Sequence, residues 1–485
     1  MAKYDAIVVG SGPNGLAAAI TLQQQGLSVL ILEGKSTIGG GMRTAELTLP
    51  GFKHDICSAI HPMAALSPFF STLPLQDFGL NFIYPPIAAA HPFDDGTAAV
   101  LKHSITETAA SLQEDKKAYL DLLGPLLKSW PTLANDILGP LHFPRHPVDM
   151  ASFGLKALQP ASWLVKKLNT EKAKGLWAGM AAHSILPLSH IATSAIGLVL
   201  MTAAHIKGWP LPKGGTQCLA DALALYFISI GGEIETNFYV SSLDQLPSAQ
   251  AVIFDTSPKQ LLQVAGHRFS SLYKKQLGRY RYGMGVFKVD WALDGPVPFT
   301  AEECRSAGTV HIGGKYDEIA ASEKKTWSGA HSERPFVLFA QQSLFDTSRA
   351  PEGKHTAWAY CHVPNGSVQD MTSIIEKQVE RFAPGFRERI LAKHTMTTEQ
   401  FEEYNSNYVG GDINGGETNI RQLFTRPALR LSPYRTSAKG IYICSASTPP
   451  GGGVHGMCGY HAAKRVLKDV FNNKTLFTNQ NKFTD

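Results

Sequence analysis

YDAIVVGSGPNGLAAAITLQQQGLSVLILEGKSTIGGGMRT, residues Tyr4 to Thr44, decides the fold. AIVVG is a short β-branched apolar run, the mark of a strand buried on both faces. Asn14 to Gln24 then places Leu16, Ala19, Ile20 and Leu22 at helical spacing, Gly26 ends the helix, and LSVLILE is a second strand. This is a βαβ unit. Gly10 permits the tight turn, Gly12 lets the backbone approach a pyrophosphate, and Gly15 allows close helix–strand packing. Pro13 and Asn14 open a helix whose first N–H groups and partial positive charge face the phosphates. Glu33 stands 18 residues after Gly15, where a carboxylate accepts both hydroxyls of an adenosine ribose. An acid there argues against a 2′-phosphate, and so against NADP.

The remaining composition sets bounds. A chain of 485 residues is too long for one ordinary core and fits two or three domains. A formal charge of +5 is small for this length and gives no reason to expect a nucleic-acid partner. The densest basic cluster, QLGRYRYG at Gln276–Gly283, reads as a solvated strand end. Six cysteines lie far apart without CxxC or zinc spacing, which points to free thiols in a reducing, cytoplasmic compartment. MAKYD leads straight into a strand with no basic n-region, so no signal peptide is expected. Ile185 to Ala204, the longest apolar stretch, is interrupted by Pro187, Ser189, His190 and Gly197 and suits a buried helix better than a membrane span. Any membrane contact is then peripheral, and no basic-apolar docking stretch stands out.

FAD rather than NAD is expected from the residues after Glu33. A second glycine cluster, Gly39, Gly40 and Gly41, precedes Met42 and Arg43. A plain NAD dehydrogenase needs nothing of the kind. In flavoproteins of the glutathione-reductase-like class, a Gly-Gly pair here lets the chain pass close to the flavin diphosphate, and Arg43 reaches the phosphates or the flavin edge. The competing reading of Arg43 is a surface ion pair. Distant segments should complete the cradle. Lys439 to Leu467 reads as a strand over Gly440–Cys444, a glycine-rich loop from Ser445 to Gly456, and a helix from Met457 aimed at a negative group. PLPKGGTQCLADALALYFISIGGEIETNFYVSSL (Pro210–Leu243) supplies a helix over Leu219–Ile230 and a strand running to Val240. AVIFDTSP brings a further strand with Thr256 in the turn after it.

Taken in order, GSGPNGL, LE, IGGGMRT, PKGGTQCLADAL, GGEIETN, VIFDTSP and STPPGGGVHGMCGYHAA resemble the phytoene-desaturase branch of the flavin-containing amine oxidase superfamily. IGGGMRTAELTLPGFKHDICSAIHP and YVGGDINGG (Tyr408–Gly416) are similar to its phytoene-dehydrogenase-like group. The resemblance implies an α/β fold. A glutathione-reductase-like FAD-binding Rossmann domain, discontinuous over 1–70, 206–285 and 411–485, would carry an inserted α+β substrate domain over 71–205 and 286–410. The inserted part alternates helical stretches with strands, which suits a mixed sheet roofed by helices over an apolar pocket. Two departures from the family pattern are visible. Gly41 and Met42 intervene before Arg43, and the redox-active CxxC of dithiol oxidoreductases is absent. No cysteine sits in a covalent-flavin context, so the FAD implied is non-covalent.

The resemblance also assigns the chemistry. The flavin takes a hydride equivalent from a substrate C–H bond, and the protein positions the substrate and excludes water. GxSxG, HExxH and spaced metal ligands are missing, so no metal is expected. His455, in the C-terminal glycine loop, is the candidate catalytic side chain, polarising a flavin oxygen or stabilising reduced flavin. Its competing role is to cap the helix that starts near Gly456. Ser58 and His61 point either to the substrate cavity or to packing, and at least one of Tyr460 and His461 is expected near the flavin's dimethylbenzene or ribityl side. Trp177, Trp291, Trp358 and Tyr360 are either pocket wall or core.

The expected activity is FAD-dependent desaturation of a CH–CH bond in an apolar small molecule. The alternatives are oxidation of a CH–N bond, or a flavin-binding scaffold without turnover. No second complete GxGxxG unit is present, so electrons would leave to O2 or a quinone. The polar tail Phe471–Asp485 reads as frayed, and oligomeric state is left open.

Overall fold

Tyr4–Val9 becomes the central strand of a five-stranded parallel sheet in the computed structural model, which describes residues 2–472. The strand order is Ile441–Ile443, Ala249–Phe254, Tyr4–Val9, Val29–Leu32, Glu233–Glu235. Ala6 pairs with Ala251 on one side and Val29 on the other. Ile7 and Val8 lose all solvent contact, because helices cover both faces of such a sheet. The strand expected to run to Val240 stops at Glu235, since Asn237 takes a left-handed φ of 58° and turns the chain out of the ladder.

The principal helices run, in chain order, α1 (Pro13–Gln23), α2 (Lys116–Ile137), α3 (Pro147–Ala157), α4 (Glu171–Ala182), α5 (Thr193–Lys207), α6 (Gln217–Ser229) and α7 (Met457–Asp469). Pro13 opens α1 at a position where its missing N–H costs nothing. The apolar stretch from Ile185 begins as turns, with left-handed φ at Ile185 and Ala192, and becomes helical only from Thr193. Among the described residues, no helix is long and apolar enough to cross a membrane.

A seven-stranded mixed sheet forms the other layer, in the order Ile390–Met396, Gly285–Leu293, His355–Val363, Val337–Ala340, Ala307–Ile312, Ile87–Pro92, Ala98–Leu101. Side chains alternate across it. Trp291, Phe339 and Ala359 point into a closed core with Phe299 and Phe386, while Thr309, Leu338, Trp358 and Tyr360 face the nucleotide sheet across a cavity. α2 to α5 form the helical layer beside that cavity, with α5 packed on α2, α3 and α4. The mixed α/β architecture expected from the sequence is found.

One buried ion cluster ties the two layers together. Arg349, fully buried, donates to Asp55 at 2.6 Å and to Asp346 at 3.1 Å. Asp55 also accepts the Thr216 N–H at 2.8 Å, and Asp346 the Gly214 N–H at 2.7 Å. The PKGGTQ turn is thereby held by acids from two other segments. The expectation for the tail concerns residues that, from 473 onward, lie outside those described.

Candidate active site

A single cavity of about 390 Å³ runs from the first glycine turn to the inner face of the seven-stranded sheet. At its nucleotide end, the three glycines are required by close approach. A Cβ on Gly15 would stand 2.1 Å from the Gly10 carbonyl oxygen, and one on Gly12 would stand 2.6 Å from Asp255 Oδ2. Gly10, Gly12, Pro13 and Asn14 line the cavity, whereas Gly15 sits behind them and sets the helix–strand spacing.

Asp255 is a residue that sequence reasoning passed over in favour of its neighbour Thr256, though both line the cavity. It follows the strand Ala249–Phe254 and accepts the Gly15 N–H at 2.8 Å. Burial raises its carboxyl to about 7; the Gly15 N–H opposes the rise and the Glu33 carboxylate adds to it. An acid with a raised folded pKa stabilises the fold below its ordinary value near 3.8 and loses that contribution as pH rises through about 7. A bound pyrophosphate would meet an additional negative charge above that pH. Dinucleotide affinity is therefore expected to fall about tenfold between roughly pH 6 and 8, and Asp255→Asn should flatten that dependence. Flavin titrations of both proteins across this range provide the check.

Glu33 is almost enclosed. It accepts the Ser11 N–H at 3.0 Å, the Ser11 hydroxyl, the Lys35 N–H at 2.9 Å and Arg43 Nη2 at 3.2 Å. Arg43 is no surface ion pair. It is buried on the cavity wall, and its remaining N–H groups bind the Thr37 carbonyl at 2.7 Å and the Gly40 carbonyl at 3.1 Å. The guanidinium thus shapes its own loop and balances Glu33. Gly40, Gly41 and Met42 line the cavity, while Gly39 lies against Met42 and Ala220. A Cβ on Gly41 would stand 2.3 Å from the Tyr408 hydroxyl.

Tyr404–Tyr408 comes to this end of the cavity from far along the chain. The Tyr404 hydroxyl donates to the Gly40 carbonyl at 2.8 Å, and Asn407 Oδ1 accepts the Ser257 N–H at 2.8 Å. Sequence reasoning placed these residues in the substrate-binding insert, and no local pattern marks them as cradle. Val240 and Ser445 complete this wall.

His455 requires a correction. Gly453 and Val454 reach the cavity, but His455 does not line it. Its Nδ1 accepts the Met457 N–H at 3.0 Å, and its backbone carbonyl accepts the Ser67 hydroxyl at 2.6 Å. Burial lowers the imidazole to about 4, so the ring is neutral and braces the loop at the start of α7. The capping alternative describes this geometry. Gly456 and Met457 also lie off the wall, packed against α1 and its neighbours; a Cβ on Gly456 would be 2.5 Å from Phe70. Tyr460 stacks on Phe69 at 5.1 Å and His461 contacts the Leu138 carbonyl, both away from the cavity.

At the far end, Trp358 and Tyr360 stack at 5.6 Å with planes 4° apart, alongside Leu338, Leu200 and Met63. Trp177 and Trp291 are core. Ser58 and His61 do reach the cavity, but Ser58 donates to the Gly41 carbonyl at 2.9 Å and His61 Nε2 pairs with Thr216 at 2.6 Å. His183, which sequence reasoning missed, lines the wall with its Nε2 2.9 Å from His311 Nε2, and burial lowers it to about 3. The only acids lining the cavity, among the described residues, are Glu33 and Asp255, both at the nucleotide end.

Comparison with known proteins adds the lineage. Residues 8–73 match the NAD(P)-binding Rossmann-like domain family. The mouse pyridine nucleotide-disulfide oxidoreductase domain-containing protein 2 is 24% identical, over 97% of this chain and 94% of that protein. A lycopene-forming phytoene desaturase from Pseudescherichia vulneris is 23% identical, over 93% and 96%. Among solved structures, an oxidoreductase from Methanosarcina mazei superposes with a TM-score of 0.66 at 16% identity, covering 96% of this chain and 99% of its own. Putrescine oxidase with bound putrescine superposes at 0.62 and 15% identity, covering 97% and 99%. Motif order, two-sheet fold and full-length likeness agree: the chain is similar along its whole length to phytoene desaturases, shares the fold of putrescine oxidase, and is an oxidoreductase.

Proposed function

We propose that this oxidoreductase holds FAD non-covalently in the glycine cradle and desaturates a CH–CH bond of an uncharged apolar molecule. The observation that carries the reading is the one cavity that joins the cradle to an apolar, aromatic wall. The donor set suits FAD. Asn14 Oδ1 and Thr256 Oγ1 are buried polar atoms without a partner beside the cradle, and the N-terminus of α1 opens at the same place. Bound there, FAD would supply the hydride-accepting centre.

The chain's own side chains do the rest. Glu33 accepts ribose hydroxyls while Arg43 balances its charge. Gly10, Gly12 and the Gly39–Gly41 loop admit the pyrophosphate. Trp358, Tyr360 and Leu338 hold the substrate and keep water out. Electrons then pass to O2 or a quinone. A cationic amine is the less favoured substrate, because the far end of the cavity offers it no carboxylate.

The test is the absorbance of the purified protein during anaerobic incubation with isoprenoid hydrocarbons and with amines. Bleaching of the flavin bands by a hydrocarbon and not by amines is expected. Bleaching by amines alone would replace desaturation with CH–N oxidation. Bound flavin that no substrate bleaches would favour a scaffold, and absence of flavin after reconstitution would overturn the reading.

A further inference from the structure

His183 caps the C-terminus of α4 and lines the far end of the cavity. Its Nε2 lies 2.9 Å from Nε2 of His311. Its Nδ1 has no hydrogen-bond partner among the described residues and is not sealed by packing. Behind it the row continues to His91. His311 and His91 stand on the neighbouring parallel strands Ala307–Ile312 and Ile87–Pro92, one step beyond the paired Val310 and Ala90, and both are fully buried. α4 makes room for them with two glycines one turn apart. A Cβ on Gly179 would stand 2.5 Å from His311 Nδ1, and one on Gly175 would stand 2.8 Å from His91 Nε2. Three imidazoles thus lead from the cavity wall into the sheet.

Donor and acceptor roles along the row are set at its inner end. A carbonyl oxygen only accepts, so His91 Nε2 carries the proton that binds the Gly314 carbonyl at 2.6 Å, and His91 Nδ1 is a lone pair. His91 Nδ1 and His311 Nδ1 are both buried without a partner. His91 is close enough to depress the charged form of His311. A proton on His311 Nδ1 places an N–H dipole beside that lone pair, whereas a second lone pair would repel it. His311 Nε2 then accepts, His183 Nε2–H donates, and His183 Nδ1 is left as a lone pair at the cavity wall. Burial, with His362 adding to it, lowers His183 to about 3, so the ring is neutral. The other titratable groups at this end offer no such atom. His61 Nε2 is paired with Thr216 and its Nδ1 is sealed, while burial pushes the Cys57 thiol and the Tyr360 hydroxyl up and keeps them protonated.

We propose that His183 Nδ1 accepts the proton released when the CH–CH bond is desaturated, and that His311 and His91 are positioning residues that keep its lone pair turned to the cavity. The role rests on the desaturation reading given above. Two C–H bonds break in that reaction. One carbon gives up a hydride equivalent to the oxidised flavin, its neighbour gives up a proton to His183, and the electron pair of the second C–H bond becomes the new C=C bond. Positive charge builds on the first carbon as hydride leaves and acidifies the C–H beside it, so a weak, neutral base is sufficient. The imidazolium formed lies at the C-terminus of α4, where the helix dipole favours a cation. Its Nε2–H stays bonded to His311.

Stopped-flow bleaching of the flavin bands by isoprenoid hydrocarbons, without oxygen and with FAD-loaded full-length protein, tests it. His183→Ala should slow bleaching at least about a hundredfold, with the half-saturating hydrocarbon concentration unchanged, and added imidazole should restore part of the rate. His183→Gln offers hydrogen bonds but takes no proton, and should be equally slow. Melting temperature and flavin content of both variants should match the wild type, which separates lost chemistry from lost fold. A second readout needs no turnover. In 15N NMR of histidine-labelled wild-type protein, assigned with His183→Gln, His183 should carry its proton on Nε2 and none on Nδ1. In His311→Phe, which lacks the acceptor, the proton should divide between the two nitrogens. Wild-type bleaching rates in His183→Ala, or a proton on His183 Nδ1 in the wild type, overturn this role and leave the desaturation reading standing. Bleaching of the wild type by amines and by no hydrocarbon removes that reading and this role with it.

Discussion

Replacing Arg349 with Met is expected to destabilise the fold by about 3–5 kcal/mol, the range for removing one partner of a buried ion pair. Arg349 is fully buried between Asp55 and Asp346, so methionine fills much of the volume and leaves two carboxylates facing each other without a cation. Asp55 caps the Thr216 N–H and Asp346 the Gly214 N–H. The PKGGTQ turn, and with it the start of α6, should loosen together with the contact to the Lys53–Asp55 strand. Arg381→Met is the comparison. Arg381 pairs with Asp94 and Glu318 in a partly exposed cluster, where water takes over much of the lost interaction, and its loss should cost about 0–1 kcal/mol. Thermal and denaturant unfolding of the two variants give the contrast. Equal melting temperatures would show that the buried cluster is not what holds the layers together.

Gly15→Ala should abolish dinucleotide binding, with affinity down by at least about a hundredfold, or about 2.7 kcal/mol. The new methyl would lie 2.1 Å from the Gly10 carbonyl oxygen and 3.1 Å from Asp255 Oδ2. Neither can withdraw cheaply. Gly10 is held in a turn at φ 103°, and Asp255 is bonded to the Gly15 N–H itself. The helix must back away from the strand, carrying its N–H groups off the phosphates. Gly26→Ala is the control: Gly26 is left-handed, at φ 76°, but its Cβ would meet nothing within 4 Å. That variant should lose about 1–2 kcal/mol of stability from backbone strain and keep its cofactor. Flavin content after reconstitution measures both, and a fully loaded Gly15→Ala protein would show that the close approach of helix and strand does not control binding.

Local order explains how much could be read in advance. The first helix, expected over Asn14–Gln24, is found over Pro13–Gln23, because apolar spacing, an opening proline and a closing glycine are all near-neighbour signals. The final helix is legible for the same reason. The glycine cluster after Glu33 is visible as a cluster, but its physical justification is not: Gly41 is small because Tyr408 stands over it. Asp255 stays hidden since its role is a contact with Gly15 across 240 positions of sequence. His455 misleads because a loop can carry a residue past a cavity as readily as into it. The bare outer face of α3 is not legible either, since nothing local says that one side of a helix apolar on both sides finds no partner.

The sequence by itself determined the βαβ nucleotide unit, the strand–loop–helix at the other end and the oxidoreductase lineage, since each rests on residues a few positions apart whose backbone and packing needs are fixed by chemistry. Only the tertiary structure decided that Asp255 and Tyr404–Tyr408 close the cradle, that Arg349 and Asp346 meet Asp55 and the PKGGTQ turn in one buried cluster, that Trp358 and Tyr360 rather than Trp177 and Trp291 form the cavity wall, and that the outer face of α3 stays bare. Those outcomes depend on which distant surfaces meet, and burial, charge pairing and exposure exist only once they have met.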